Sequence, residues 1–451
     1  MTLTIDASVG GATSNSSALT IVHLHGPCSP LHSPHAGAPP PPSHAEILER
    51  DQSRANSIHR KTSTTSPDPT PTSKQAAASL PAHTGISLGT LNYVVTVGLG
   101  TPSRPYTVVF DTGSDLSWVQ CSPCRAAGGC YEQQDPLFDP SQSSTYAAVA
   151  CSEADCDLLD ADTGSCSTDG DSRCRYKVLY GDDSNTYGDL ARDTLTLSGN
   201  DKLYGFVFGC GEENSGLFGH ADGLLGLGRE SVSLPSQGAA IGYGPGFTYC
   251  LPSSSANGYL SLGAASSPAA NAVFTPMVTR MDTPSFYYLD LIGIKVARRP
   301  LNFPATTFAV SGGGTVIDSG TVITRLPRRA YEALRSAFVR EMVNRNYRRA
   351  PALSILDTCY DLTTGHGGKA GAAAAAADVP RVELDFAGGA SVVLDAAGVL
   401  YVAKATQACL AFASTGDDTS IAILGNTQQK TFAVVYDVAN KRIGFAPKAC
   451  S

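Results

Sequence analysis

From Leu91 onward the chain is written in short apolar runs rich in β-branched and aromatic residues. They include Tyr93–Val97, Tyr106–Phe110, Leu195–Leu197, Phe206–Phe208, Thr315–Ile317, Ser391–Leu394 and Thr431–Tyr436. Clusters of Gly, Ser, Asp and Pro separate them. Runs of this length and spacing predict an all-β body. Few helices are expected, and two stretches carry helical periodicity best. Arg328–Glu341 follows Pro327 and sets Ala330, Leu334, Ala337 and Phe338 on one face. Ala45–Lys61 places Ile47, Leu48, Asp51, Arg54, Ala55 and Ile58 at three-to-four spacing, with Ser43 as N-cap. This second helix stands between polar, proline-rich arms that include Pro39–Pro42. It has no core of its own, so it must dock elsewhere or stay mobile.

Three regions follow. Residues 1–80 form a leader, residues 81–275 a first lobe and residues 276–451 a second. The basis for two lobes is an internal repeat. Thr107-Val-Val-Phe-Asp111-Thr-Gly-Ser returns as Gly314-Thr-Val-Ile-Asp318-Ser-Gly-Thr, 207 positions later (318 − 111). Gly223-Leu-Leu-Gly226 returns as Ala422-Ile-Leu-Gly425, 199 positions later (425 − 226). Lys369–Asp378 is a low-complexity, alanine-rich surface insertion.

Each repeat places an aspartate between an apolar strand and a glycine turn. One such aspartate is an ordinary turn cap. Two, related by a pseudo-twofold axis, can meet. Paired carboxylates cannot easily both ionise, so Asp111 and Asp318 would hold one proton between them. The ionised member can then activate a water. The protonated member can hydrogen-bond a carbonyl and protonate a leaving amine. Such chemistry calls for no metal and no cofactor.

Composition narrows the classes. Hydrophobic residues make up 42% of the 451 and charged residues 16%, so a large core can form. Disorder throughout and a coiled coil are excluded. The net charge of −8 argues against a nucleic-acid partner. No apolar stretch reaches the roughly 18 residues a spanning helix needs, so no membrane span is expected. Met1–Gly11 shows no readable signal peptide. Of 13 cysteines, seven crowd into Cys121–Cys174, which favours disulfides and an oxidising compartment. Zinc on Cys121, Cys124 and Cys130 is the weaker alternative, because no second CxxC and no nearby histidine complete the site. Gly85-Ile-Ser87-Leu-Gly89 fits the pattern of a serine nucleophile elbow without its strand–helix context.

Val109-Phe-Asp111-Thr-Gly-Ser114 with Val316-Ile-Asp318-Ser-Gly-Thr321 resembles the pepsin-type aspartic proteases. Trp118, Tyr180-Gly181-Asp182, Ile423-Leu424-Gly425 and the ending Val435-Tyr-Asp437 to Pro447 fit the same family. The twelve cysteines from Cys121 onward, with the insertion 121–174, are similar to its plant nepenthesin-like branch. So is His25-Gly-Pro-Cys28 in the leader. The resemblance implies a bilobal all-β fold with a cleft. It implies catalytic Asp111 and Asp318, supported by Thr112, Gly113, Ser114, Ser319, Gly320 and Thr321. It makes Tyr180, Gly181 and Asp182 the flap over substrate, with Trp118 behind. It implies the bridges Cys121–Cys124, Cys130–Cys210, Cys151–Cys174, Cys156–Cys166, Cys250–Cys450 and Cys359–Cys409, with Cys28 left over. Spacing alone leaves the connectivity open.

The function so implied is an acid endopeptidase, made as a zymogen. Its partners would be polypeptide substrates, pepstatin-like inhibitors and its own prosegment, acting as a monomer. Arg54, Arg60 or Lys61 would meet the ionised pair. The implied compartment is secreted or vacuolar, with the chloroplast as a variant. The alternative is a catalytically silent binding or inhibitor protein on the same fold.

Overall fold

In the computed structural model the described residues are 17–23, 30, 43–62 and 93–450, without 125–128, 161–162, 168–169, 181–183, 199–200, 217, 254–257, 264–270, 309–313, 366–375 and 377. Cys28, Gly181, Asp182 and nearly all of the alanine-rich insertion fall outside them.

The body is two mainly β lobes built on one plan. In the first, the strand Arg104–Asp111 runs as an almost unbroken buried series. That is the pattern of a strand covered on both faces. Gly223–Gly226 lies parallel to it, with Gly226 opposite Asp111. The same short strand pairs antiparallel with Trp118–Gln120. In the second lobe Thr315–Ile317 runs parallel to Ala422–Leu424, and Arg325 faces Ile423 in the antiparallel pairing. The likeness reaches single hydrogen bonds. Gly226 N–H donates to Ser117 Oγ at 3.0 Å, and Gly425 N–H donates to Thr324 Oγ1 at 3.0 Å. A methyl group on Gly226 would fall 2.1 Å from the Asp115 carbonyl, so only glycine lets the two segments approach.

A sheet shared by both lobes ties them together. Phe247–Cys250 pairs with Gly258–Leu262 on one side and with Ala433–Asp437 on the other. Ala433–Asp437 continues to Arg442–Ala446, and that strand to Val273–Val278. Phe247 stacks on Tyr249 and Tyr436 at this seam, and Tyr287 meets Tyr436 edge-on. The expected helix near 328 is present as Arg328–Asn344, with Ala330, Leu334, Ala337 and Phe338 buried.

The leader contributes two described elements, one foreseen and one not. Ser17–His23 is a strand whose edges are both paired, with Gly258–Leu262 and with Tyr93–Val95. Leu19 and Ile21 are buried there. The leader's polar composition hid this two-residue alternation. The helix foreseen at 45–61 spans His44–Thr62. Ser43 and Glu46 close its first turn reciprocally, Glu46 N–H to Ser43 Oγ at 3.3 Å and Ser43 N–H to Glu46 Oε2 at 2.7 Å. Its buried face carries Ile47, Leu48, Asp51, Arg54, Ala55 and Ile58. Ile47 and Leu48 pack with Val322, Ile323 and Leu356, and Ala55 and Ile58 with Phe286, Tyr288 and Val316. The helix therefore rests mostly on the second lobe.

Among the described residues six disulfides form, and four expected pairings are corrected. Cys121 joins Cys210 and Cys124 joins Cys130, in place of Cys121–Cys124 and Cys130–Cys210. Cys151 joins Cys166 and Cys156 joins Cys174, in place of Cys151–Cys174 and Cys156–Cys166. The reason is strand register. Trp118–Gln120 runs parallel to Asp201–Ser215 with Val119 opposite Cys210, and Cys121, two residues on at the end of that strand, lies within reach of it. Cys250–Cys450 and Cys359–Cys409 are formed as expected. In the latter the two residues face each other across adjacent strands. All three cysteines of the zinc alternative are thus used in disulfides.

Candidate active site

The two glycine turns at the ends of Arg104–Asp111 and Thr315–Ile317 meet between the lobes. Thr112 N–H donates to Ser319 Oγ at 3.1 Å, and Ser319 N–H donates to Thr112 Oγ1 at 2.9 Å. This reciprocal pair locks one turn to the other. A serine at 319 does the work of the threonine at 112, because only the hydroxyl is used. Asp111 and Asp318 lie side by side and are fully buried. Ser114 Oγ donates to Asp111 Oδ2 at 2.7 Å, and Thr321 Oγ1 to Asp318 Oδ2 at 2.5 Å. Gly113 and Gly320 N–H groups donate to the Oδ1 atoms at 3.0 and 3.1 Å. Each carboxylate is therefore fixed by one hydroxyl and one amide.

Between the carboxylates sits Arg54 of the leader helix. Its Nη2 lies 2.6 Å from Asp111 Oδ1 and 2.8 Å from Asp318 Oδ1, while Nε donates to Asp318 Oδ2 at 2.8 Å. The guanidinium thus grips Asp318 as a fork and touches Asp111 at one point. Burial raises the Asp111 pKa; Arg54 opposes this and the neighbouring Asp318 charge adds to it. Burial acts the same way on Asp318 and is the largest single influence there, but the charge and hydrogen bonds of Arg54, the Thr321 hydroxyl and the Gly320 amide together hold that carboxyl below its ordinary value. The two acids are driven apart, which is the condition for one proton to be shared.

Tyr180 stands at the end of the hairpin formed by Cys174–Leu179 and Asn185–Ser198. Trp118 is buried, and its indole N–H donates to Tyr180 Oη at 2.8 Å. Phe218 meets both rings edge-on. Tyr180 is thereby anchored to Trp118 in the first lobe.

Other contacts at the site were not foreseen. Asp51, one helical turn before Arg54, is fully buried and paired with buried Arg325. At the far end of the helix Lys61 lies over the Phe286 ring, 5.9 Å from its centroid. Asp115 follows the first turn, and burial pushes its pKa up to about 6. The apolar sequence around Arg325 and the place of Asp51 on the apolar face of its helix were the available signals. Among the described residues no group of three or more His, Cys, Asp or Glu is placed to hold a metal, and no helix is long and apolar enough to cross a membrane.

Comparison with known proteins agrees with this architecture. Residues 93–264 match the family "Xylanase inhibitor N-terminal" and residues 286–447 "Xylanase inhibitor C-terminal". An aspartyl protease family protein of Arabidopsis thaliana is 46% identical over 442 residues, covering 98% of this chain and 89% of that protein. Aspartyl protease AED1 of the same plant is 43% identical, covering 97% and 88%. The solved structure of Basic 7S globulin from soybean superposes with a TM-score of 0.62 at 21% identity, covering 79% of this chain and 93% of that one. The chain belongs to the pepsin-like aspartic-protease superfamily that also holds the xylanase-inhibitor proteins.

Proposed function

We propose that the chain is the zymogen of an aspartic endopeptidase cutting internal peptide bonds at acidic pH. The observation that carries the reading is the complete dyad, Asp111 and Asp318, with both hydroxyls, both glycine amides and the reciprocal Thr112–Ser319 lock. In the working enzyme a water between the carboxylates would be deprotonated by the ionised member and attack the scissile carbonyl. The protonated member would hydrogen-bond the carbonyl oxygen and later give its proton to the amine. Tyr180, held by Trp118, would close over the bound chain. Arg54 occupies the centre where substrate must lie, so the leader acts as the intramolecular inhibitor. Six disulfides favour an oxidising destination, secreted or vacuolar, and a monomer suffices for the site. The cysteine-rich insertion supports a place in the nepenthesin-like branch.

A second reading has its own support. Both matching family models carry the name of an inhibitor. On that reading the cleft binds polypeptide and does not cut it. Digestion of an unfolded protein across pH separates the two. Cutting at acid pH that is lost with pepstatin and with Asp111→Asn supports the enzyme. Cutting that survives both controls, or no cutting after the leader is shed, overturns it.

A further inference from the structure

Arg325 is fully buried, although it belongs to the short strand Thr324–Leu326 in the wall of the second lobe. It lies seven residues after Asp318, as Trp118 lies seven after Asp111. The position that anchors the lid in one lobe thus carries a permanent cation in the other. Its Nη1 donates to the Ile323 carbonyl at 2.7 Å. Its Nη2 lies 2.8 Å from Asp51 Oδ2, off the line of its N–H bonds, and its Nε has no hydrogen-bond partner. Asp51 fills the rest of the pocket. It accepts from the backbone N–H of Val322, and from that of Ile323 at 3.1 Å. A guanidinium and two successive amides converge on one carboxylate.

This carboxylate does not belong to the wall. Asp51 is carried by the same leader helix that holds Arg54 on the dyad, three residues further on. Removal of the helix takes the anion away and leaves the cation and both amides in place. A buried guanidinium stripped of its partner is costly, and any anion that enters regains the contact. The next polypeptide to lie in the cleft is the substrate. Three residues of helix advance about 4.5 Å, which an extended chain covers in one to two residues.

We propose that Arg325 with the Val322 and Ile323 amides forms a carboxylate-binding subsite, and that it takes an acidic side chain of the substrate within about three residues of the cut. Asp51 is the leader's imitation of that side chain. The site deepens the endopeptidase reading and rests on it for its occupant.

The test uses the full chain, activated at about pH 5, where glutamate is still mostly ionised. Cut sites in an unbiased peptide library are read by mass spectrometry. Paired synthetic peptides then exchange one Asp or Glu for Asn or Gln. The expected result is acid enrichment at one position on one side of the cut. The amide exchange should lower kcat/KM by about tenfold, the size of one charge-assisted hydrogen bond. Arg325→Gln should erase the difference, and Arg325→Lys should keep part of it. Cutting without any acid preference overturns the subsite while the protease reading stands, and so does a preference that survives Arg325→Gln. The peptide exchange needs no variant, so a misfolded Arg325 substitution does not blunt the test. A second arm needs no cutting. Fluorescence anisotropy compares binding of the same peptide pairs to the chain carrying Asp111→Asn, after an added protease has cut the leader on both sides of its helix and the helix has been washed away in acid. Acid-selective binding supports the subsite even if the chain never cuts. Equal binding, or none, overturns it.

Discussion

Gly320 has room for a hydrogen atom and little else. A methyl group there would fall 2.4 Å from the Arg54 guanidinium and 2.6 Å from Asp111 Oδ1. The same backbone approach would admit a substrate chain. Gly320→Ala should therefore lower kcat/KM by about a hundredfold through misplacement of the reacting groups. Gly398→Ala, whose new methyl would lie 3.4 Å or more from its neighbours, should behave as wild type. Steady-state kinetics on one peptide checks both. Trp118→Phe removes the 2.8 Å hydrogen bond to Tyr180 and keeps most of the packing against Phe218. Stability should fall by about 1 kcal/mol, and kcat should fall with it because the lid is no longer held. Denaturant unfolding and kinetics read the two effects separately. The two aspartates and their hydroxyls were legible because a repeated motif names positions directly, and Trp118 and Tyr180 because they fit the pattern of the family the motif resembles. Asp51 and Arg325 were not, because nothing in a linear chain says that two charges 274 positions apart (325 − 51) will neutralise each other.

The leader helix is fastened at four points that respond differently to acid. His44 Nδ1 lies 2.7 Å from Tyr401 Oη near one end, and His59 Nε2 lies 3.0 Å from the Ile421 carbonyl near the other. Burial lowers both pKa values below 6.5. A histidine held neutral on docking takes up a proton once free. Its share of the docking energy is thus complete above pH 6.5 and is lost as the pH falls from there toward the lowered value. Asp318 is depressed by Arg54, so its share persists until the pH drops below the ordinary carboxylate range. Asp51 has the opposite sign, since burial raises it, and its share does not weaken in mild acid. The ends of the helix should therefore loosen before the centre. Hydrogen exchange between pH 7 and 5 should show protection lost first near His44 and His59. The double variant His44→Gln, His59→Gln should release the helix about half a pH unit lower or more. Unchanged release would remove the histidines from the mechanism. The sequence exposed this helix through its spacing and capping serine. It hid the strand Ser17–His23, whose partners lie at least 70 and 230 residues away.

At the scale of the whole molecule, one sheet holds leader, first lobe and second lobe in a single set of backbone hydrogen bonds. Cys250–Cys450 closes a loop of 200 residues across it. Removing that bridge with Cys450→Ser and Cys250→Ser should cost on the order of 4–5 kcal/mol in the chain-entropy picture. Guanidinium unfolding with unchanged slope would measure it. Two lobes were evident from the doubled motif, whereas the four exchanged disulfides were not, since cysteine spacing is blind to which strands become neighbours. The leader's own two elements are held in unlike ways, the strand by main chain on both edges and the helix by side chains. A single nick beyond Thr62 would accordingly unlatch the plug without discarding it. The plug would hang on a short tether at millimolar local strength, ready to swing home once the medium turns neutral. Only a further nick between His23 and Ser43 would make the change one-way, so a once-cut population should fall silent again on neutralisation while a twice-cut one keeps working.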